Sequence, residues 1–184
     1  MCITGIEPAH DVARIAREKR GIPTIESFFS EIEAKHLLKS IGSADLIIAN
    51  NVLAHVPNIN DFVSGVRTLL KPNGTATFEF PHVLNLLEFC QFDTIYHEHF
   101  SYLSLIALEA ILARAELKAF HGEELATHGG SLRVYVTQRE TRFDETSQLQ
   151  NLRKKEHAAK LDQIGPYLAF SAVPSHPWKF VQDA

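Results

Sequence analysis

Hydrophobic and polar positions fall into alternating blocks that predict strands and helices in turn through about residue 118. The most regular apolar block is 44–49, and its nearly unbroken run is typical of a strand covered on both faces of a sheet. Further strands are predicted at 2–7, 22–26 and 75–80. Strands alternating with helices predict an α/β fold with a mostly parallel sheet.

Helices between the strands are indicated by apolar residues at helical spacing and by residues that suit helix ends. Pro8 suits the first turn of a helix that ends at Gly21, and a second helix is predicted at 31–39. Asn60 is placed to cap a third helix and Ser104 a fourth. The positions expected to form apolar stripes are Val12, Ile15 and Ala16, then Phe62, Val63, Val66, Leu69 and Leu70, then Leu105, Leu108, Ile111 and Leu112.

The connections and the C-terminal region complete this outline. Lys71-Pro72-Asn73-Gly74 is expected to end the third helix, and 81–102 is expected to be a loop. Two late strands, 118–124 and 131–138, are joined by a turn containing Gly129-Gly130, which predicts an antiparallel hairpin. A polar helix is predicted from Phe143 onward. The residues expected to begin a further domain after it are Pro174, Pro177, Trp178 and Phe180.

Composition narrows the class of protein. The chain is 45% hydrophobic and 22% charged with a net charge of −4, which is typical of a globular protein and not of a disordered or fibrous one. No basic stripe and no apolar run of about 20 residues is present, so neither a nucleic acid nor a membrane is predicted as a partner. Two cysteines, Cys2 and Cys90, and no signal-peptide pattern favour a reducing cytoplasm.

The first candidate for chemistry is Glu7, which ends the first predicted strand. In open α/β sheets ligands collect at the carboxyl ends of the strands, where an acid can accept both hydroxyls of an adenosine ribose. An acid that begins a helix is also common because it interacts favourably with the helix dipole. A second candidate is the polar end of the predicted strand at 44–49, where Asn50 and Asn51 are followed by His55. Read structurally, Asn51 satisfies the strand end and His55 caps a helix or lies in the core.

The most informative segment is Tyr96-His97-Glu98-His99, which lies in an apolar frame just after a strand. Desolvated titratable groups cost free energy unless they are paired, so a purely structural loop has little use for four of them. If this segment is extended, Tyr96 and Glu98 project to one side and His97 and His99 to the other. A His-x-His pair with no evident third ligand does not define a metal site, and no metal is predicted.

Together with other motifs, this segment closely resembles the nucleotide-sugar C-methyltransferases that install branched methyl groups on deoxysugars. The motifs are Thr94-Ile95-Tyr96-His97-Glu98-His99, Asn51-Val52-Leu53-Ala54-His55, Glu79-Phe80-Pro81 and Thr127-His128-Gly129-Gly130-Ser131-Leu132-Arg133. The resemblance implies a class I methyltransferase Rossmann-like sheet that lacks its first strand and glycine-rich turn. It also implies a partial S-adenosylmethionine-dependent domain at 1–140, followed at 141–184 by a linker helix and the truncated start of a C-terminal domain.

The resemblance also implies roles for individual residues. His99 matches the catalytic base, Glu98 its neighbour, and Tyr96 a hydrogen-bonding partner, while Asn51 and His55 match positions that line the same pocket. The positions that match the S-adenosylmethionine site are Glu7, Pro8, Phe28, Phe29 and Asn50. We expect the segment 96–99 and the end of the strand at 47–51 to meet around one cavity next to Glu7. The implied partner is a small nucleotide-sugar substrate.

The chemistry explains these residue types. A C–H bond beside a ketone is weakly acidic, so a base with a pKa near neutrality is needed, and histidine supplies one. Two other readings remain. A non-catalytic Rossmann-like binding module is favoured by the absence of the cofactor turn, from which we expect weak binding of S-adenosylmethionine by this chain alone. A nicotinamide-dependent enzyme is disfavoured because the glycine fingerprint is absent.

Overall fold

The computed structural model describes residues 3–171, so Cys2 and the predicted start of a further domain at 174–180 lie outside the described residues. Its strands are Gly5–Ile6 (β1), Thr24–Ile25 (β2), Ala44–Asn50 (β3), Leu70–Pro81 (β4), Leu117–Leu125 (β5) and Ser131–Gln138 (β6). Its helices are His10–Arg20 (α1), Glu31–Ser40 (α2), Ile59–Leu69 (α3), Val83–Glu88 (α4), Leu105–Arg114 (α5), Ser147–Ala158 (α6) and Gly165–Ser171 (α7). Short 3₁₀ turns lie at Leu53–His55, Phe92–Thr94 and Thr127–Gly129.

The strands form two sheets. β1 and β2 pair in parallel, and a second sheet has the order β3-β4-β6-β5. In this second sheet β3 and β4 are parallel, while β6 runs antiparallel to both β4 and β5. The predicted α/β architecture with a C-terminal antiparallel hairpin is therefore confirmed. Among the described residues, no strand joins the free edge of β1 to the free edge of β3.

The main core lies between the larger sheet and helices α3, α5 and α6. Phe78 and Phe80 on β4 are fully buried, as is Val134 on β6. From α5, Leu108 and Leu112 fill the same core, as the apolar spacing of that helix predicts. This core packs β4 against α5, and the chain between these two elements carries Tyr96 and His99.

Several helix ends differ from the predictions because of local capping. The side chain that caps α3 is Asn58, whose oxygen accepts from Asp61 N at 3.2 Å, and not Asn60. Pro8 lies before α1, which begins at His10. The predicted ends at Gly21 and Ser104 are confirmed: Gly21 adopts a left-handed conformation with φ of 64°, and Ser104 accepts from the amide of Ala107.

The predictions about connections were correct in one case and wrong in another. Helix α3 ends at Leu69, just before 71–74 as expected, and these four residues form an irregular part of β4 between the pairs Ala44–Leu70 and Leu46–Thr75. The expected loop at 81–102 contains α4 and a 3₁₀ turn, elements too short to give a clear helical period. The apolar stripe predicted for α1 is also displaced, because Ala13 is buried whereas Val12 and Ile15 are exposed.

Packing around α5 gives a stability prediction. Leu108→Ala should lower the free energy of unfolding by about 2–5 kcal/mol, because Leu108 is fully buried and the substitution leaves a cavity. Leu168→Ala on α7 is the matched control, since Leu168 is 60% exposed and loses little packing. Urea denaturation of both variants measures the difference. Equal effects of the two substitutions would contradict this account of the core.

Candidate active site

A cavity of about 450 Å³ opens where β3 and β4 end, at the carboxyl edge of the larger sheet. Its volume lies within the range of small-molecule sites, which span about 300–1,000 Å³. Polar and aromatic side chains from four separate segments surround it. The lining residues are Asn51, Ala54, His55, Pro81, Gln91, Asp93, Thr94, Tyr96, His99, His128 and Gly129. The end of β3 and the segment 96–99 thus meet around one cavity as expected, but Glu7, which was expected beside it, is not among the lining residues.

The end of β3 enters the cavity through a sharp turn at Asn51. Asn51 N donates to Glu79 O at 2.7 Å, and Asn51 has a positive φ of 54°, which turns the chain out of the sheet. Leu53 and Ala54 in the following 3₁₀ turn are buried and anchor it. His55, the third residue of that turn, is exposed and lines the cavity.

The segment 96–99 forms a tight turn, in which His99 N donates to Tyr96 O at 3.0 Å. The Tyr96 and His99 rings therefore lie on the same side, with centroids 4.1 Å apart, and the predicted alternation of side chains along an extended segment is wrong. Phe100 N donates to Ala54 O at 2.8 Å, which fastens this loop to the 3₁₀ turn that carries His55. The rings of His55, Tyr96 and His99 thus form one cluster, called the ring cluster below, which lines the cavity.

Backbone carbonyls orient both histidines of this cluster. His99 Nδ1 donates to Thr94 O at 3.1 Å, and His55 Nδ1 donates to Glu98 O at 3.0 Å. Because a carbonyl only accepts, each Nδ1 carries a proton, and each neutral ring keeps a free lone pair at Nε2. The His55 and His99 ring centroids are 4.7 Å apart. The pair thus presents basic nitrogens inside one small cluster.

The pKa of His99 lies below its ordinary value. Burial disfavours the charged imidazolium and is the main cause, and repulsion from a protonated His55 lowers it further. The hydrogen bond to Thr94 and the charge of Glu98 act in the opposite direction. A lowered pKa favours the unprotonated imidazole, the state that a proton acceptor requires.

Glu98 acts differently from Tyr96 and His99. Its side chain is exposed and does not line the cavity, and neither does that of His97. Glu98 contributes its carbonyl oxygen to His55 and its negative charge to the surroundings of His99. It therefore lies beside the ring cluster as a neighbour of His99.

The positions matched to the cofactor lie outside the cavity lining. Glu7, half-buried after β1, accepts from Ala9 N at 2.8 Å through Oε1, while Oε2 accepts no hydrogen bond from a described residue. Phe28 is 77% exposed, whereas Phe29 turns inward and packs edge-on against Phe62. Asn50 and Pro8 are exposed, the former at the end of β3. A free carboxylate oxygen and an accessible ring fit a ribose and an adenine.

The turn with His128 had two interpretations from the sequence, a border of the sugar site or a turn that opens a strand, whereas Gln91 and Asp93 were not predicted. His128 adopts a positive φ of 52°, and its Nε2 lies 3.5 Å from Asn51 Nδ2. Gln91 Nε2 donates to Gly129 O at 2.7 Å and so ties α4 to the same turn. The Thr-His-Gly-Gly motif gave a signal for His128, because its glycines mark a turn that adopts positive φ. Nothing in the sequence distinguished Gln91 or Asp93.

Below the cavity floor, Glu79 is buried and is neutralised by Arg133. Arg133 Nη2 and Nε donate to Glu79 Oε2 at 2.7 and 3.1 Å, and this hydrogen bonding raises the pKa of the Arg133 guanidinium. Because Arg133 pairs with Glu79 across β4 and β6, the ion pair joins the two strands that carry the cavity floor. A buried carboxylate with such a partner serves to hold the strands in register.

Neither a cluster of metal ligands nor a membrane-spanning helix is present among the described residues. Within residues 3–171, no group of three or more histidine, cysteine, aspartate and glutamate side chains is arranged to hold a metal ion. In the same residues, no helix has the length and apolar character to cross a membrane.

Comparison with known families and proteins gives consistent matches. Residues 2–121 match the family described as "Methyltransferase domain", and residues 126–176 match "C-methyltransferase C-terminal domain". A curated relative, C-methyltransferase NovU of Streptomyces niveus, is 35% identical over 134 residues, which make up 73% of this chain. The matched part spans 32% of the length of that relative.

Solved structures share the fold. A SAM-dependent methyltransferase from Anabaena variabilis has a TM-score of 0.57 at 14% identity, with 74% of this chain and 68% of that chain covered. Magnesium protoporphyrin IX methyltransferase from Synechocystis, solved with bound SAH, has a TM-score of 0.54 at 13% identity, with coverage of 73% and 63%. Both support the class I methyltransferase fold.

The contact between the two imidazoles gives a prediction about titration. His55→Phe keeps a ring at this position but removes the charge that lowers the pKa of His99, so the titration midpoint of His99 should rise. Histidine C2–H chemical shifts followed by NMR against pH measure it. His36→Phe, at an exposed position on α2, is the control and should leave the titration midpoint of His99 unchanged. A midpoint unaffected by His55→Phe would contradict the described coupling.

Proposed function

Because the chain belongs to the S-adenosylmethionine-dependent C-methyltransferase family, we propose that it takes part in methylating the carbon beside a keto group of a nucleotide-linked deoxysugar. The observation that carries this proposal is the position of His99, which shares one cavity with Tyr96, His55 and Asn51. A base, two hydrogen-bond donors and a second imidazole around one small cavity suit the formation of an enolate.

The substrate class rests on the segment that contains Tyr96 and His99, which resembles nucleotide-sugar C-methyltransferases. A cavity of about 450 Å³ with polar walls has room for a sugar ring. The similarity to C-methyltransferase NovU supports carbon as the methylated atom. A nucleotide carrier would extend from the open side of the cavity, away from the buried sheet.

His99 has the role of general base. Its Nδ1 is held by Thr94 O, so Nε2 is free to take the proton from the carbon next to the ketone. The negative charge that then develops on the ketone oxygen needs donors, which the Tyr96 hydroxyl and the Asn51 amide supply from the cavity wall. Donors of this kind commonly contribute about 3–4 kcal/mol each to the transition state.

The cofactor is assigned to the residues that follow β1 and β2. Glu7 would accept the ribose hydroxyls through its unpaired carboxylate oxygen, and Phe28 would cover the adenine, with Pro8 and Asn50 bordering them. When bound, S-adenosylmethionine supplies the methyl group, whose bond to sulfur breaks as the enolate carbon bonds to it. Phe29 has a structural part in this arrangement, because it packs against Phe62.

The proposed base can be tested through proton exchange. In a protein of the relative's length that contains this chain, called the full-length protein below, His99→Asn should slow the exchange of solvent deuterium into the position beside the substrate ketone by about 10²–10⁴-fold, the usual contribution of general base catalysis. Asparagine keeps a polar side chain of moderate size, so folding should be retained. His36→Asn, at an exposed position on α2, is the control. It should exchange deuterium into the substrate at the wild-type rate.

The measurement is NMR of a nucleotide-linked keto-deoxysugar in deuterated buffer. Unchanged exchange in His99→Asn would remove His99 as the base. Absence of both exchange and methyl transfer in the wild type would favour a non-catalytic binding module.

Cofactor binding gives a separate prediction. Glu7 and Asn50 follow strands of two different sheets, and no described strand joins these sheets. We therefore expect the 184-residue chain to bind S-adenosylmethionine more weakly than the micromolar range, and more weakly than the full-length protein. Isothermal titration calorimetry on both compares them, with Glu7→Gln in the full-length protein as the variant that loses the ribose acceptor. Micromolar binding by the 184-residue chain would refute this expectation.

A further inference from the structure

Helix α6 places a carboxylate in a fully buried position behind the cavity. Glu156 Oε1 accepts from His82 Nε2 at 2.8 Å and from Leu105 N at 2.6 Å, and Oε2 accepts from Ile106 N at 2.9 Å. The side chains of Glu156 and His82 are both 0% exposed. A carboxylate is expensive to bury unless its oxygens are satisfied, and here three donors satisfy them.

Two of these donors belong to the start of α5. The first amides of a helix have no partner within the helix and require one from outside. Ser104 Oγ accepts a hydrogen bond from the amide of Ala107, and the Glu156 carboxylate accepts from the amides of Leu105 and Ile106. A negative charge also interacts favourably with the positive end of the helix dipole. Glu156 therefore fixes the point at which the loop with His99 passes into α5.

The third donor, His82, lies where three segments of the site join. It directly follows Pro81 of the cavity wall, and its backbone N donates to Gly130 O at 3.1 Å, beside the turn that carries His128. Val83 N donates to Leu103 O at 3.1 Å, at the end of the His99 loop. Anchoring His82 therefore restrains Pro81, the turn that carries His128 and the end of the His99 loop.

Burial of the Glu156–His82 pair lowers the free energy of unfolding, which suggests a role beyond packing. Among the described residues, His82 Nδ1 is buried without a hydrogen-bond partner. Buried groups of this kind destabilise a fold, and apolar residues of similar volume often replace them at no loss of stability. The pair also links the two segments that match different families, since His82 lies within 2–121 and Glu156 within 126–176.

We propose that Glu156 is a positioning residue, which holds His82 and the start of α5 so that His99 keeps its place in the cavity. This inference rests on the proposed function. Glu156 touches no lining residue of the cavity through its carboxylate and acts only through the backbone that it restrains. Displacement of a catalytic group by about 1 Å costs on the order of 10²-fold in rate, so a modest shift of the loop is sufficient for a large effect.

The test is Glu156→Gln in the full-length protein. Glutamine has the same shape, and with its NH₂ donating to the other tautomer of His82 its carbonyl still accepts from Ile106 N, so the fold should persist. Leu105 N, which shares Oε1 with His82, then loses its acceptor. Loss of the charge weakens the hold on α5. We expect kcat for methyl transfer and the rate of deuterium exchange beside the ketone to fall by about 10- to 100-fold. The KM for S-adenosylmethionine should be unchanged.

Glu109→Gln is the matched control. Glu109 also joins α5 to α6, through Arg153 Nη2 at 2.6 Å, but it lies past the first turn of α5. It should lose a similar charge contact without loss of kcat. Hydrogen exchange of the Leu105 and Ile106 amides gives a second readout, and these amides should exchange faster in Glu156→Gln than in Glu109→Gln.

The outcomes separate the two proposals. Wild-type protein that transfers no methyl group would overturn the proposed function. Active wild-type protein with equal kcat in Glu156→Gln would overturn the positioning role, even if thermal stability falls. If Glu156→Gln does not fold, Glu156→Asp keeps the charge but is too short to reach all three donors, so its kcat should fall in the same way. Full activity of that variant would also count against the proposal.

Discussion

The parallel pairing of β3 with β4 is the interaction on which the candidate site depends. Asn50 lies beside Glu79, and Asn51 N extends the pairing by one further hydrogen bond to Glu79 O. Since parallel strands end at the same edge of a sheet, this register brings the turn that carries His55 next to Pro81 and the loop after it. Burial of Phe78 and Phe80 on β4 holds the register, because a slip by one residue would turn these rings out of the core.

Hydrogen bonds to backbone carbonyls then orient the two histidines at this edge of the sheet. Ala54 O accepts from Phe100 N and so joins the two loops that carry His55 and His99. The carbonyls of Thr94 and Glu98 each accept from one histidine Nδ1. A loop held by its own main chain can present imidazoles with little loss of conformational freedom on binding, which is what preorganised proton transfer requires.

The antiparallel part of the larger sheet and α6 support the site from behind. β6 carries Arg133 against Glu79, and the turn before β6 brings His128 to Asn51. Helix α6 contributes Glu156, which lies far from the cavity lining in sequence but is bonded to the elements that hold it. The part of the chain after residue 126 is therefore integral to the site, although the candidate base and its ring neighbours precede it.

The sequence alone determined the fold class, the hairpin near the C-terminus, the ends of helices at Gly21 and Ser104 and the segments that hold the candidate chemistry. These features depend on local periodicity, turn residues and motif, which are all readable along the chain. Only the tertiary structure decided which side chains face the cavity. Tyr96 and His99 share a side because a turn replaces the extended segment, and Phe29 faces inward because Phe62 lies opposite it. His82 and Glu156 are far apart in sequence, and their pairing follows from the packing of α6, which no local pattern encodes.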